Sequence, residues 1–277
     1  MSGRREVLTF LSLTFLLSSA FYAYLFFSPS PTWNDGLSFA FMWCPGAAAI
    51  LTRLISARSV AGLGWRWGGT KRVLLPVFAL PFLLAGVVYG VVWLFGLGAF
   101  DPTRWYALGT RFGLSGLPAH LVTLVLIPVG VALSTASTLG EELGWRGLLS
   151  DRLLPEMGFV RTSLLVGAIW SVWHYPLIFV LIPSFRPGLP VAYATACFTA
   201  SVVGVSFFYT WVRQRTGSVW PAAILHAASN AAQSTFEALT RDTGPTEYLT
   251  YEYGIGFVVV IWLLLAVLWR KLSPPAR

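Results

Sequence analysis

Apolar side chains in this chain are gathered into eight long runs, separated by short segments rich in charged residues, glycine and proline. A helix needs about 17–25 apolar residues to cross the hydrocarbon core of a bilayer, and these runs have about that length. Inside a bilayer the backbone polar groups must be satisfied within the chain, which favours helices. The predicted spans are residues 7–27, 37–55, 73–97, 120–139, 162–182, 191–212, 220–236 and 254–269.

Prolines and polar stretches predict where these helices bend or end. Proline removes a helical hydrogen bond, so Pro45 predicts a kink in the second span, and Pro76 and Pro81 predict breaks in the third. Three polar stretches are expected to connect spans as loops or turns: residues 99–118, 151–161 and 237–252.

The composition supports the same fold class. Of the 277 residues, 56% are apolar and only 11% are charged, which excludes a soluble globular domain of this size. We therefore predict an all-α membrane protein, a polytopic bundle of about eight transmembrane helices that forms one domain over residues 1–277. Most of its surface would contact the lipid bilayer. Cys44 and Cys197 lie inside apolar runs and are expected to be free thiols.

The net charge of +8 indicates orientation in the membrane and does not suggest a nucleic-acid partner. Fifteen of the 19 lysines and arginines lie near the termini or on the connections that share their side of the membrane. Cytoplasmic segments are enriched in these residues, so both termini are expected in the cytoplasm, which requires an even number of spans. The excess of arginine over lysine suggests a bacterial plasma membrane. The remaining four basic residues are Arg104, Arg111, Arg186 and Arg241.

Two adjacent carboxylates, Glu141 and Glu142, follow the fourth apolar run directly. Ionised groups at membrane depth cost several kcal/mol each, about 2.5–3.5 on insertion scales, and usually face a partner or a wet cavity. Glu142 and Arg146 are four residues apart on a helix and can form an ion pair. Glu141 points about 100° away and has no such local cation. Its presence therefore requires another explanation.

Two of the three histidines also lie within predicted spans. Counting residues from the nearest charged segment places Glu141 about 16 Å, and His174 roughly 20 Å, from the inner face. His226 and Asn230 fall at about 12–20 Å by the same count, and both project from one helix face. Polar groups from three spans thus share one depth, as a functional site requires. Trp170, one turn from His174, could pack against the imidazole ring.

The order of these residues resembles a known family. Glu141-Glu142-Leu-Gly-Trp-Arg146 fits Glu-Glu-x-x-x-Arg, Trp170-Ser-Val-Trp-His174 fits aromatic-x-x-x-His, and His226-Ala-Ala-Ser-Asn230 fits His-x-x-x-Asn. In this order, on separate spans, the three motifs are similar to those of the CPBP (Abi) family of CAAX-processing and bacteriocin-processing intramembrane proteases. The chain departs from the family at Trp170, where phenylalanine is more usual.

The resemblance implies an endopeptidase that cleaves near the carboxyl end of a membrane-held protein or peptide, approached from the cytoplasmic side. Its catalytic core would cover about residues 118–236. Glu141 and His174 would activate the attacking water, and His226 and Asn230 would stabilise the oxyanion. Glu142, Arg146 and Trp170 would be supporting residues. A prenylated CAAX protein, a leader peptide and a signalling peptide are all open as substrates.

The cofactor is open at this stage. Glu141, His174 and His226 could supply three ligands to zinc with water as the fourth. The helical zinc motif His-Glu-x-x-His is absent from the sequence, and a metal-free Glu/His mechanism is equally consistent with these residues. We favour slightly the mechanism that requires no metal.

Other functions fit parts of the sequence. A non-catalytic scaffold or immunity-type protein could retain the fold, with His226 and Asn230 serving only to join helices. A small-molecule transporter would use the same polar midplane, although no internal repeat supports it. Gly113-Leu-Ser115-Gly116 matches the Gly-x-Ser-Gly of rhomboid serine proteases, but Ser115 is expected near the opposite face from the histidines.

Overall fold

The computed structural model describes residues 3–272, which fold almost entirely into helices. Residues 1–2 and 273–277, which the predicted domain includes, lie outside the described part. The helices are α1 (Gly3–Phe27), α2 (Asp35–Met42), α3 (Cys44–Ala57), α4 (Lys71–Leu94), α5 (Thr103–Arg111), α6 (Ala119–Glu142), a π-helix (Leu143–Leu149), α7 (Ser150–Phe185), α8 (Val191–Thr216), α9 (Trp220–Ala238), α10 (Thr246–Leu249) and α11 (Ile255–Leu272).

The prediction of an all-α polytopic membrane protein is confirmed. Six helical stretches within residues 3–272 are long and apolar enough to cross a bilayer. One of them, His120–Phe185, joins the fourth and fifth predicted spans over 66 residues, and α9, the predicted seventh span, is not among the six. The number eight and the cytoplasmic position of the termini therefore stay predictions.

The effect of two prolines was predicted wrongly. Helix α4 runs without a break through both Pro76 and Pro81. Neighbouring helices can support a helix whose local hydrogen bonds proline removes, and α4 packs against α9 and α11. In the second span the helix is interrupted at Trp43, between α2 and α3. Pro45 then lies in the first turn of α3, where its missing N–H costs nothing.

The connecting segments contain more helix and strand than predicted. Residues 151–161, expected to be a turn, belong to α7, whose direction changes at Gly158 (φ +74°, ψ 177°). A straight helix of 36 residues would be about 54 Å long, so this break lets α7 turn at the end of the bundle. The other two predicted loops contain α5, α10 and a two-residue strand pair, β1 (Ala99–Phe100) with β2 (Thr240–Arg241).

The π-helix makes close contacts with neighbouring segments of the bundle. A Cβ at Gly144 would lie 2.5 Å from Pro45, and one at Gly147 would lie 2.8 Å from the carbonyl oxygen of Leu63. Small residues thus allow the close approach of helices in the bilayer. Arg213 of α8 donates from Nε to the carbonyl of Arg146, 3.0 Å away, which satisfies a backbone group within the π-helix. The π-helix is therefore joined to both α3 and α8.

Candidate active site

Glu141 is buried at the end of α6, with 1% of its surface exposed. Its Oε2 accepts hydrogen bonds from two indoles, Trp170 Nε1 at 2.6 Å and Trp145 Nε1 at 3.3 Å. Oε1 makes no hydrogen bond with any residue in the described part of the chain. Neutral donors therefore hold one carboxylate oxygen, and the other is left as an acceptor.

Glu142 has two partners on a single oxygen. Its Oε1 accepts from Arg146 Nη1 at 3.1 Å, the pair that the spacing predicts, and also from His226 Nδ1 at 3.0 Å. Both Glu142 and Arg146 are fully buried. The guanidinium of Arg146 lies between the rings of Trp170 and Tyr209, 4.5 and 4.4 Å from their centroids. The carboxylate thus compensates a cation that two aromatic faces also stabilise.

His174 is held through Nδ1, which lies 3.0 Å from the carbonyl oxygen of Trp170 one turn earlier. A carbonyl can only accept, so we infer that Nδ1 carries the proton and that Nε2 of the neutral ring carries a lone pair. The ring packs edge-on against Trp170 at 6.2 Å between centroids, the contact that the spacing suggests. His174 is half-buried, so Nε2 lies in a partly open environment.

His226 and Asn230 lie one turn apart on α9 and share a face. His226 donates from Nδ1 to Glu142, and its ring is edge-on to Trp170 at 5.2 Å. Asn230 is half-buried, and its amide has no hydrogen bond to any residue between 3 and 272. An amide without an internal partner keeps its full donor capacity for a bound molecule.

Side chains from three helices therefore meet around Trp170. Its indole contacts Glu141 of α6, its carbonyl holds His174 of α7, and its ring faces His226 of α9. Asn230 follows His226 by one turn on the same face. The geometry combines an acceptor oxygen, two imidazoles and an amide donor.

Comparison with known proteins shows what this arrangement is similar to. Residues 119–232 match the Rce1-like family, described as type II CAAX prenyl endopeptidase Rce1-like. A relative named CAAX prenyl protease 2, from Methanococcus maripaludis, is 33% identical over 150 residues, which are 50% of this chain and 49% of that protein. The similarity to the Rce1-like family is thus confined to residues 119–232. The predicted resemblance to CAAX-processing proteases is thereby confirmed, and the chain matches about half the length of this curated relative.

The Rce1-like segment contains all the residues predicted for the site. It begins with α6 and ends within α9, so it includes the three helices that supply them. Helices outside this segment pack against it. Gly144 of the π-helix packs on Pro45 of α3, and α4 packs against α9. The roles of the individual side chains stay predictions.

A zinc site does not fit the candidate side chains in this arrangement. Within the described residues, no three His, Cys, Asp or Glu side chains come close enough together to hold a metal ion. The hydrogen bonds at Nδ1 of His226 and Oε2 of Glu141 leave Nε2 and Oε1 available, so it is the separation of the groups within the described residues that does not fit. The residue roles proposed below therefore involve no metal. The rhomboid alternative also lacks support, since Ser115 lies in an exposed turn.

Several features of the site were not predicted. The bond between Glu142 and His226 and the stacking of Tyr209 on Arg146 depend on how helices pack, and no spacing indicates them. The contact between Trp145 and Glu141 could have been predicted, because the two residues are four apart, as are Glu142 and Arg146.

An acidic residue from a connecting loop also acts on the site. Glu252 lies between α10 and α11 and is half-buried. Burial raises the pKa of its carboxyl to about 7, opposed in part by a hydrogen bond with Tyr253. Its charge interacts with His226, Glu141 and Arg186. The predicted loop 237–252 therefore ends in a carboxyl group whose charged form burial disfavours.

This shift predicts a pH-dependent stability difference for Glu252→Gln. A carboxyl whose pKa is raised on folding from 4.5 to about 7 destabilises the folded state as pH rises through that interval. The glutamine variant should therefore gain stability over the parent at about pH 8 and lose this gain at about pH 5. The melting temperatures of the variant and the parent in detergent, taken at both pH values, measure this stability difference. An equal difference at both would contradict the burial of Glu252.

Proposed function

We propose that the chain is an intramembrane endopeptidase of the CAAX-processing type. It would hydrolyse a peptide bond near the carboxyl end of a membrane-associated protein or peptide. The observation that carries the proposal is the arrangement around Trp170 of Glu141, a buried carboxylate with one anchored oxygen and one free oxygen, and imidazoles from two other helices. The Rce1-like match and the name of the Methanococcus relative support the same reaction.

In this mechanism Glu141 is the general base. Oε1 takes a proton from the attacking water, while Oε2 stays bonded to the two indoles. Nε2 of His174 accepts the second hydrogen of the water and orients its lone pair towards the carbonyl carbon of the substrate. The proton held by Glu141 then passes to the leaving nitrogen as the C–N bond breaks, giving a carboxylic acid and an amine. The acid proton is then transferred to the amine, so that the final products are a carboxylate and an ammonium.

The oxyanion would be stabilised from α9. The Asn230 amide donates one hydrogen bond. His226 keeps its Nδ1–H on Glu142, so it can donate from Nε2 in the imidazolium form, whose charge the Glu142 carboxylate compensates. Glu142 and Arg146 would thus support His226 as well as the helix. Donors already in place for a developing charge are worth about 2.7–4 kcal/mol each.

The same proposal includes the orientation in the membrane and the class of substrate. The asymmetry of basic residues supports cytoplasmic termini, with substrate reaching the site from the cytoplasmic side. The excess of arginine over lysine supports a bacterial plasma membrane. The Rce1-like description refers to CAAX prenyl processing, which supports a prenylated substrate. A leader or signalling peptide is the alternative substrate.

Peptide cleavage by the purified protein in lipid nanodiscs tests the function. Three peptides are compared: one ending in farnesyl-cysteine and three further residues, the same peptide without farnesyl, and an unrelated leader peptide. Mass spectrometry should detect release of the intact carboxyl-terminal tripeptide from the first. Release from the second as well would show that the prenyl group is not required. Failure to cleave any of them by a folded protein would favour the non-catalytic scaffold.

A further inference from the structure

Trp170 holds both groups that would activate water, and it does so through two different atoms. Its side-chain Nε1 donates to Oε2 of Glu141 at 2.6 Å. Its backbone carbonyl accepts from Nδ1 of His174 at 3.0 Å. One residue on α7 therefore fixes a carboxylate from α6 and an imidazole one turn further along its own helix.

The indole itself cannot easily rotate. Trp170 is 4% exposed, the Arg146 guanidinium lies over its ring, and the ring meets the edges of Tyr209 and His226. Because aromatic and cationic groups hold the ring plane, the direction of the N–H bond is also fixed. The donor therefore selects which oxygen of Glu141 is occupied and which is free.

We propose that Trp170 is a positioning residue that sets the geometry of the Glu141–His174 pair through its indole N–H. The inference rests on the proposed function. It concerns the indole N–H, a donor that phenylalanine lacks, and phenylalanine is the more usual residue at this position in the family that the motifs resemble. Trp145 donates to the same oxygen at 3.3 Å and acts as a longer, secondary anchor. With both indoles on Oε2, only Oε1 is available to a water.

The alternative is that the hydrogen bond from Trp170 only satisfies a buried donor, since a buried indole usually finds a partner wherever it lies. Trp105 provides the matched control. It is 5% exposed, donates from Nε1 to Thr123 Oγ1 at 3.1 Å, and packs with Val122 and Leu126 away from the site. Trp170→Phe and Trp105→Phe each remove one indole donor from a buried ring, but only the first acts on Glu141.

Steady-state kinetics of the two variants test the proposal. Trp170→Phe should lower kcat by about 10–100-fold with KM changed less than about twofold, because misplacement near 1 Å can cost that much in the chemical step alone. Trp145→Phe should show a smaller loss, and Trp105→Phe should keep kcat. Equal losses of kcat in Trp170→Phe and Trp105→Phe, or a rise in KM alone, would overturn the proposal.

A measurement independent of activity separates this inference from the proposed function. In protein labelled with 15N at the tryptophan indoles, Glu141→Gln should move the Trp170 Nε1–H resonance, because it exchanges a charged acceptor for a neutral one. The Trp105 resonance should stay in place. If no peptide is cleaved but the Trp170 resonance moves, the proposed function fails and the contact stands. An unmoved Trp170 resonance would overturn the positioning role even in an active enzyme.

Discussion

Glu141→Gln is expected to lower kcat by about 10²–10⁴-fold, the range that a general base contributes. Glutamine has nearly the shape of glutamate, and its carbonyl oxygen can still accept from Trp170 and Trp145. What it cannot do is take a proton from water. The variant should therefore fold and bind substrate as the parent does, so the loss should appear in kcat with KM nearly unchanged. Initial rates of tripeptide release measure it.

The control for this variant is Glu156→Gln, which makes the same chemical change at an exposed position on α7. It should cleave at the parental rate. If Glu141→Gln cleaved the peptide within about threefold of the parent, Glu141 would not be the base. A loss of folded protein in the Glu141 variant would be detected separately by gel filtration and circular dichroism.

Arg146→Met is expected to destabilise the protein by about 3–5 kcal/mol, because it leaves the fully buried carboxylate of Glu142 without its cation. Methionine has similar length, so the change removes the charge and most of the contact with Trp170 and Tyr209 without leaving a large cavity. Chemical unfolding in detergent micelles measures the loss. We expect it to exceed that of any substitution at an exposed ion pair.

Two further variants identify the cause of this loss. Arg186→Met breaks an ion pair whose partner, Glu237, is 41% exposed, and should cost only about 0–1 kcal/mol. Adding Glu142→Gln to Arg146→Met removes the uncompensated charge and should restore much of the stability. It should not restore kcat, since His226 would still lack its carboxylate. A double variant no more stable than Arg146→Met would show that packing, and not charge, accounts for the effect.

The sequence predicted the class of fold well because bilayer physics leaves few choices. Long apolar runs have to become helices, so the predicted spans agree with α1, α4, α8 and α11 to within several residues. The candidate site residues were selected because ionisable groups in such runs require a reason to be there, and their roles stay predictions. Local spacing was sufficient for the Glu142–Arg146 pair.

The parts that were missed depend on contacts between helices. Nothing in the apolar pattern distinguishes the π-helix from the α-helix before it, and its formation accompanies the contacts of Gly144 and Gly147 with Pro45 and Leu63. π-helical segments are rare and often occur at functional sites. The charged residues of 151–161 suggested a turn, but they did not indicate that the chain stays helical on both sides of a single break at Gly158. The donation from Trp170 to Glu141 joins residues 29 positions apart, which no helical period relates.

The central claim is that Glu141 and His174, from different helices, act on the same water. A double-mutant comparison tests it most directly: kcat is measured for Glu141→Gln, His174→Ala and the two combined. Groups that serve one step as a unit are strongly non-additive. The account predicts that the double variant is no slower than Glu141→Gln alone. Losses that multiply in the double variant would mean that the two side chains act independently, and would contradict a shared site.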